Sequence, residues 1–486
     1  MYKISLTKKT LTDLDKKYYR VKLTEEKAGK KVVELADGNR ELQLGIGKFA
    51  RVSRRAWRLI VRTVVQTAKE HKLDLVVWEV APALFLKLEP YGREWFSRTL
   101  SENLVLADYE FTTYKSKPKN AKKAKETKEN TEIVIVGLET PEEKTAFATG
   151  LTVGEYVNKA REISNLSASD MTPEALGQSA KDFVKGTKAV VKVLGKKELE
   201  KLKMGALLAV GSGTRLDTKL VIVEYWGAGK PTAKSKDNEE LKPVVLVGKG
   251  VTYDTGGLNV KPSGAMHEMH MDMSGGASVL ATIALVAKLG LKKNVVALVP
   301  SAENAISDTA MRAGDVVTAY NGKTIEILHT DAEGRLILAD ALAYSEIYNP
   351  VVILDVATLT GAALVALGQH ASAIMTKNRP LQDELEKLGE ESGDLVWPLP
   401  LWKEYREYLK SYRADVSNIA TNFSRWGGVI EGGTFLSFFT PKKVLWAHID
   451  IAPRMESISS DKLAKGSMGE PVRLLTTFIE RYQPKK

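Results

Sequence analysis

Short apolar runs rich in β-branched residues alternate along this chain with longer stretches in which apolar residues recur every three or four positions. In residues 1 to about 112 the extended runs are Lys31–Glu34, Leu42–Ile46, Leu75–Trp78 and Leu104–Tyr109, while Val52–His71 and Arg93–Glu102 have helical spacing. Glu132–Gly137 (EIVIVG) predicts another strand. From Thr152 a helical pattern runs to Asn165, and Asp170 and Thr172 ahead of Pro173 predict a second helix start, because the fixed φ of proline suits a first turn. Strands are then expected at Ala189–Val193, Leu220–Tyr225, Val244–Val247, Val295–Pro300, Val351–Val356 and Ser372–Met375, with helices at Lys197–Leu202 and Gly275–Leu289. The pattern predicts two α/β domains, residues 1–151 and 152–486, the second a large, mostly parallel sheet flanked by helices on both faces. Ligands of such sheets gather beyond the carboxyl ends of the strands.

Composition narrows the chemistry. At 486 residues the chain exceeds one ordinary domain of roughly 100–200 residues. It has no cysteine, so disulfides, thiolate metal sites and cysteine nucleophiles are excluded together. No apolar run reaches the roughly 18 residues of a membrane span. The opening MYKISLTKKTLTDLD has no apolar segment followed by a small-residue cleavage site, and the expected location is the cytoplasm, with no membrane partner.

The net charge of +11 is uneven: residues 1–150 hold 30 Lys and Arg against 21 Asp and Glu (+9), leaving 41 against 39 (+2) for the rest. Much of the excess is the run Lys115–Lys128, with seven lysines. A solvated loop is the expectation there. Nucleic-acid binding is the lesser one, because no aromatic residues interleave the lysines to stack on bases. The first domain gathers no reaction-centre side chains, so assembly or regulation is its expected role.

Candidate chemistry lies in two stretches of the second domain. After Val244–Val247 comes GKGVTYDTGGLNVKPSGAMHEMHMDMSGGAS, which places Lys249, Asp254, Lys261 and Asp272 in a glycine-rich connection. Neither dinucleotide nor P-loop glycine spacing is present, and the two aspartates would repel bare phosphate. In Asn321–Leu342 (NGKTIEILHTDAEGRLILADAL), Asp331, Glu333 and Arg335 stand where an extended run gives way to a helix. Taken alone, Asp331 reads as a helix cap, Glu333 as a favourable charge in the first turn and Arg335 as a solvated side chain. Together with Asp254 and Asp272, the four carboxylates could not stay ionised in one crowded site without divalent cations, which predicts a two-metal centre of zinc, manganese or magnesium. His267, His270 and His329 lie close in sequence but lack helical metal-ligand spacing, and are expected at the surface or behind the ligands.

The stretches VGKGVTYDTGG, KPSGAMHEMHMDMSGGA and HTDAEGRLILADAL resemble the signature regions of the leucyl aminopeptidase family, the dinuclear aminopeptidases of the cytosol. NKAREISNLSASDMTPEAL, SAENAISDTAMRAGDVV, DVATLTGA, LPLWKEY, WAHIDIA and KGSMGEPVRLL extend the resemblance over about residues 152–482. It implies that Lys249, Asp254, Asp272 and Glu333 surround one metal and Asp254, Asp331 and Glu333 the other. Lys249 would ligate as a neutral amine, Lys261 would act as an electrophile, and Arg335 would hold a bicarbonate or water. The implied reaction is release of the first residue of a peptide with a free N-terminus, whose amine is fixed by one metal and Asp272, by attack of a water bridging the two cations. Met269, Thr358, Gly361 and Ala452 would line the first side chain's pocket, and the Leu359 carbonyl would receive the amine. Homohexamers are the family's usual state.

Four features depart from the family pattern. His329 stands in place of asparagine, and His270 in place of a basic residue. GGVIEGGTFL replaces a run richer in alanine, and Pro453 and Arg454 follow the expected pocket wall.

Overall fold

The computed structural model describes residues 1–14, 16–27, 29–116, 131–235, 237–423 and 426–483. All but the first two residues of the run Lys115–Lys128 therefore lie outside the described residues, together with the solvated-loop and nucleic-acid readings attached to it. The described chain forms two compact units, Met1–Asn158 with Ser457–Lys465, and Lys159–Glu456 with the C-terminal segment from Gly466.

The first unit is built on a six-stranded sheet in the order β1-β6-β5-β2-β4-β3, with β1 at Lys3–Leu6, β2 at Tyr19–Thr24, β3 at Gly29–Glu34, β4 at Arg40–Gly45, β5 at Leu75–Glu79 and β6 at Glu132–Val136. Only β3 and β4 pair antiparallel. Helices α1 (Arg54–Glu70) and α2 (Gly92–Asp108) pack on each other. Trp57 stacks on Phe96 with ring centroids 4.2 Å apart and anchors the core. The run Leu104–Tyr109 is the last turns of α2 rather than a strand. Leu100, Leu104 and Ala107 are all buried, and steps of four and three place them on one helical face. The helix expected from Thr152 begins earlier, at Pro141.

In the second unit a nine-stranded sheet runs β16-β15-β18-β14-β9-β11-β8-β7, with β10 paired to β11. Its strands are β7 (Val190–Leu194), β8 (Lys219–Trp226), β9 (Val244–Gly248), β10 (Gly250–Asp254), β11 (Asn294–Asn304), β14 (Val352–Ala357), β15 (Ser372–Met375), β16 (Val396–Pro398) and β18 (Leu445–Asp450). The centre is parallel (β11, β9, β14, β18), and antiparallel pairs lie outside it at β7–β8, β8–β11 and β15–β18. Val245, Val247, Val296 and Leu298 share a core with Leu336, Ile337 and Leu342 of helix α3 (Glu333–Tyr344). Alternate residues such as Leu246 and Ala297 therefore point to the opposite face. Helix α4 (Ser274–Lys288) also packs on β9, β11 and β14.

The stretch Met269–Lys288 is apolar and long enough to meet the composition of a membrane span, unlike the expectation from sequence. It is 89% buried in its most apolar window, as a core helix of a two-sided sheet must be. The glycine-rich stretch contains a strand, β10, read above as a loop. Asp331 and Glu333 follow β13 (Thr324–Glu326), which belongs to a separate three-stranded sheet with β12 (Val316–Thr318) and β17 (Val416–Ser417).

Candidate metal centre

Lys249 sits between β9 and β10 with both sides of its peptide pinned. Its N–H donates to the Val356 carbonyl at 2.9 Å, and its carbonyl accepts from Gly276 at 2.7 Å, in the first turn of α4. This approach needs glycine: a Cβ on Gly275 would lie 2.3 Å from the Val356 oxygen. The Lys249 Nζ meets Asp272 at 2.7 Å, Glu333 Oε1 at 2.9 Å and the Thr358 carbonyl at 2.9 Å. Gly334 leaves room for that side chain, since a Cβ there would fall 2.5 Å from Lys249 Cε.

Asp254 ends β10. Its Oδ1 accepts from the Gly256 N–H at 2.9 Å and Asn304 Nδ2 at 2.8 Å, and its Oδ2 lies 2.7 Å from Lys261 Nζ. Lys261 also meets Asp331 Oδ1 at 2.5 Å. Asp272, at the end of the 3-10 turn Met269–Met271, accepts from Thr358 Oγ1 at 2.6 Å. Asp331 does not cap α3, whose N-cap is Ala332 with no side-chain capping bond. Its carboxylate is taken up by Lys261 instead, an ion pair that a cap position would forgo.

Asp254, Asp272 and Glu333 each offer an oxygen within 4.8 Å of the others, and all three are buried. Burial pushes the Asp272 carboxyl up to about 8 and Asp331 up to about 7, with neighbouring Glu333 and Asp254 adding to both. Burial also opposes the charge of Glu333, but Lys249 and Lys261 outweigh it and hold its pKa below the ordinary value. The two lysines are held strongly protonated: burial disfavours their charge, and the surrounding carboxylates more than reverse that. The neutral Lys249 amine implied by the resemblance thus requires a cation to replace the proton.

The donor set fits divalent cations. Asp272 Oδ2, Asp331 Oδ1 and Glu333 Oε1 are buried atoms. Each meets only a lysine ammonium, as an ion pair. Buried carboxylate oxygens that converge with ammonium groups as their counter-charges are also what a hard or borderline cation satisfies.

A cavity of about 390 Å³ adjoins this cluster and is lined by His329, Asp331, Arg335, Leu359, Gly361 and Glu431 among others. Of the expected pocket residues, Leu359 and Gly361 line it, whereas Met269, Thr358 and Ala452 do not. Thr358 instead holds Asp272 and Lys249 in place. The Leu359 N–H donates to Asp450.

His329 Nδ1 accepts from the Asp331 N–H at 3.2 Å. Burial, with Arg335 and Lys261 nearby, keeps its imidazole below the usual pKa. His270 is lowered too, chiefly by burial. Neither these two nor His267 joins the carboxylate cluster.

Arg335 is buried, contrary to the solvated reading, because α3 lies under the cavity wall with all its residues buried. Its Nη1 donates to the Asn418 carbonyl at 2.5 Å and to Glu431 Oε1 at 2.9 Å. The Nη1 edge of the guanidinium, where an anion is expected from the resemblance, is thus taken by a carboxylate of the chain. Sequence reasoning missed Glu431, and the signal was a lone charge inside the apolar, glycine-rich run GGVIEGGTFL. It also missed Asn304, at the end of β11, and Asn418, just after β17, since an isolated polar residue at a strand end gives no signal.

Comparison with known proteins agrees with this geometry. Residues 158–476 match the family model described as the cytosol aminopeptidase family, catalytic domain. A probable cytosol aminopeptidase of Nitrosospira multiformis is 42% identical over 447 residues, covering 90% of this chain and 82% of the relative. That of Nitrosomonas europaea is 41% identical over 448 residues, covering 91% and 85%. Among solved structures, the bottromycin maturation enzyme BotP in complex with Mn superposes with a TM-score of 0.81 at 28% identity, covering 98% of both chains. With its buried acidic cluster and a family match over most of its length, the chain belongs to the cytosol aminopeptidase family, metal-dependent aminopeptidases.

Proposed function

We propose that this protein releases N-terminal residues, leucine-like ones first, from peptides with a free amine, using two divalent cations. The observation that carries the proposal is the convergence of Asp254, Asp272 and Glu333, buried within 4.8 Å of one another, with Asp331 joined to them through Lys261. Lys249, Asp254, Asp272, Asp331 and Glu333 would hold the cations, with manganese or zinc the favoured occupants. Manganese has the added support that the similar BotP structure is a complex with Mn. When bound, such cations polarise a peptide carbonyl and make water a competent nucleophile at neutral pH.

The chain's own residues then do the following. Asp272, oriented by the Thr358 hydroxyl, receives the substrate's free amine and so restricts cleavage to chain ends. Lys261, held charged by Asp254, Glu333 and Asp331, supplies a positive donor for the oxygen that becomes negative as the carbonyl is attacked. Thr358 and Asp254 are themselves fixed by buried hydrogen bonds, so the donors need little reorganisation. Met269, Thr358, Gly361 and Ala452 are the residues proposed around the first side chain, with the Leu359 carbonyl receiving the amine. Assembly as a homohexamer and a cytoplasmic location complete the proposal.

The test is hydrolysis of leucine amide beside N-acetyl-leucine amide, with chelator and then with Mn or Zn restored. Cleavage of the free amide alone, abolished by chelator and recovered with metal, is expected. Equal cleavage of the acetylated compound would defeat the amine-anchoring role of Asp272.

A further inference from the structure

The wall of the cavity beside Asp331 carries an ion pair with no counterpart in the expectations drawn from sequence. Arg335 and Glu431 each have side chains only 7% exposed, and Nη1 to Oε1 is 2.9 Å. Glu431 comes from helix α5 (Gly428–Leu436), which is brought in close by its glycines. A Cβ on Gly432 would stand 3.0 Å from Leu359 Cδ2, 3.2 Å from Thr360 Cγ2 and 3.7 Å from Arg335 Nη2. A Cβ on Gly433 would lie 2.7 Å from Met375 Sδ. The two glycines that replace alanine in GGVIEGGTFL thus cost helix propensity but let α5 lie against the Leu359–Thr360 loop and β15, delivering the carboxylate of the preceding residue to Arg335.

We infer that Glu431 is the anion that Arg335 holds, so that the chain supplies from α5 the carboxylate otherwise expected from bicarbonate and binds no free oxyanion there. The physical grounds are occupancy and tethering. A bicarbonate seated on the Nη1 edge of Arg335 would have to displace Glu431 and strand a buried carboxylate without its partner. A carboxylate fixed to the same fold also competes at a far higher effective concentration than a dissolved anion. Glu431 lines the same cavity as Asp331, so a carboxylate remains on this wall whatever the bicarbonate supply. The functional consequence rests on the aminopeptidase reading, whereas the occupancy does not.

The experiment uses the full-length, metal-loaded protein in bicarbonate-free buffer, with Glu431→Ala and Glu431→Gln, the latter keeping the side-chain volume. Melting temperature is followed as bicarbonate or formate is added, and leucine amide hydrolysis is measured in the same samples. For the unmodified protein, no saturable change in melting temperature and less than about a twofold change in kcat are expected. Glu431→Ala should gain a saturable stabilisation by either anion, lost again when Arg335→Met is added. Its kcat should fall about tenfold or more and be partly restored by the anion. Glu431→Gln, which keeps a hydrogen-bonding oxygen beside Arg335 but removes its counter-charge, should lose less stability than Glu431→Ala and show the same reduced kcat.

Saturable bicarbonate binding or bicarbonate-dependent turnover by the unmodified protein overturns the inference. So does a Glu431→Ala protein that is folded and shows no anion response. Should no form hydrolyse leucine amide, the aminopeptidase reading fails, and the melting data still decide the occupancy of Arg335.

Discussion

Replacing Lys249 by methionine isolates the electrostatic logic of the site, because Met keeps most of the volume and removes the cation. The Lys249 ammonium is 2.7 Å from Asp272 and 2.9 Å from Glu333, and both carboxylates are almost fully buried. Glu333 is the member held ionised, with its pKa lowered because Lys249 and Lys261 outweigh its burial. Without Lys249, it must remain charged with less compensation or take up a proton. Protonation from its ordinary value of 4.5 to pH 7 spans 2.5 units, or about 3.4 kcal/mol at 1.36 per unit. That lies at the lower end of the roughly 3–5 kcal/mol expected for breaking a buried pair.

At about 2 °C per kcal/mol for a large unit, the loss corresponds to about 7 °C in melting temperature. The sign with pH follows from the same numbers. In the parent, the lowered Glu333 pKa contributes stability above 4.5 that is lost as pH falls; in Lys249→Met that contribution is reversed, and stability falls as pH rises above 4.5. The deficit should therefore be large at pH 7 and small near pH 5. Calorimetry of both proteins in chelator measures it; added Mn or Zn should stabilise the parent by up to about 2.7 kcal/mol at a hundredfold excess over Kd and the variant, which lacks one ligand, by less. Equal melting temperatures in chelator at pH 7 would refute the reading that Lys249 is the resident counter-charge of these carboxylates.

Other expectations follow from neighbouring contacts. Gly334→Ala puts a methyl 2.5 Å from Lys249 Cε, so Lys249 must move; we expect at least about a tenfold loss in kcat/KM, with the fold retained by circular dichroism. Asp331→Ala and Glu333→Ala should abolish metal binding, whereas Lys261→Ala should lower kcat with metal retained, and elemental analysis of the purified variants separates the two. Two metals per chain in Glu333→Ala would contradict its assignment as a ligand. The lowered His329 pKa means that the unfolded chain takes up a proton first as pH falls through 6.5, so this residue contributes acid destabilisation. His329→Asn should accordingly lose less stability than the parent between pH 7.5 and pH 5, as read by denaturant melts at the two pH values.

Local pattern was enough for the elements whose periodicity is unmixed. Ser372–Met375, the helix starting at Pro173 with Thr172 as its cap, and the alternation of β9, α4 and β11 are all legible because their apolar residues face one or two buried layers. Leu104–Tyr109 misled because a short apolar run does not declare its period until the residues before it are included. The strands β1 and β2 were missed, since they interleave charged and hydroxyl residues with only partly buried apolar ones.

At the site, residue types and order in the sequence already determined that carboxylates without cysteine must share cations, and the motifs identified the family. What only the tertiary structure decided is which charges meet. Asp331 and Glu333 are two residues apart, yet Lys261 takes the first and Lys249 the second, because the turn before α3 points their side chains to different lysines. Arg335 read as a solvated residue in sequence and is buried against Glu431, 96 positions away, because the glycines of α5 leave room for the Leu359, Thr360 and Met375 side chains. Such pairings depend on contacts between elements far apart in the chain, and no local periodicity encodes them.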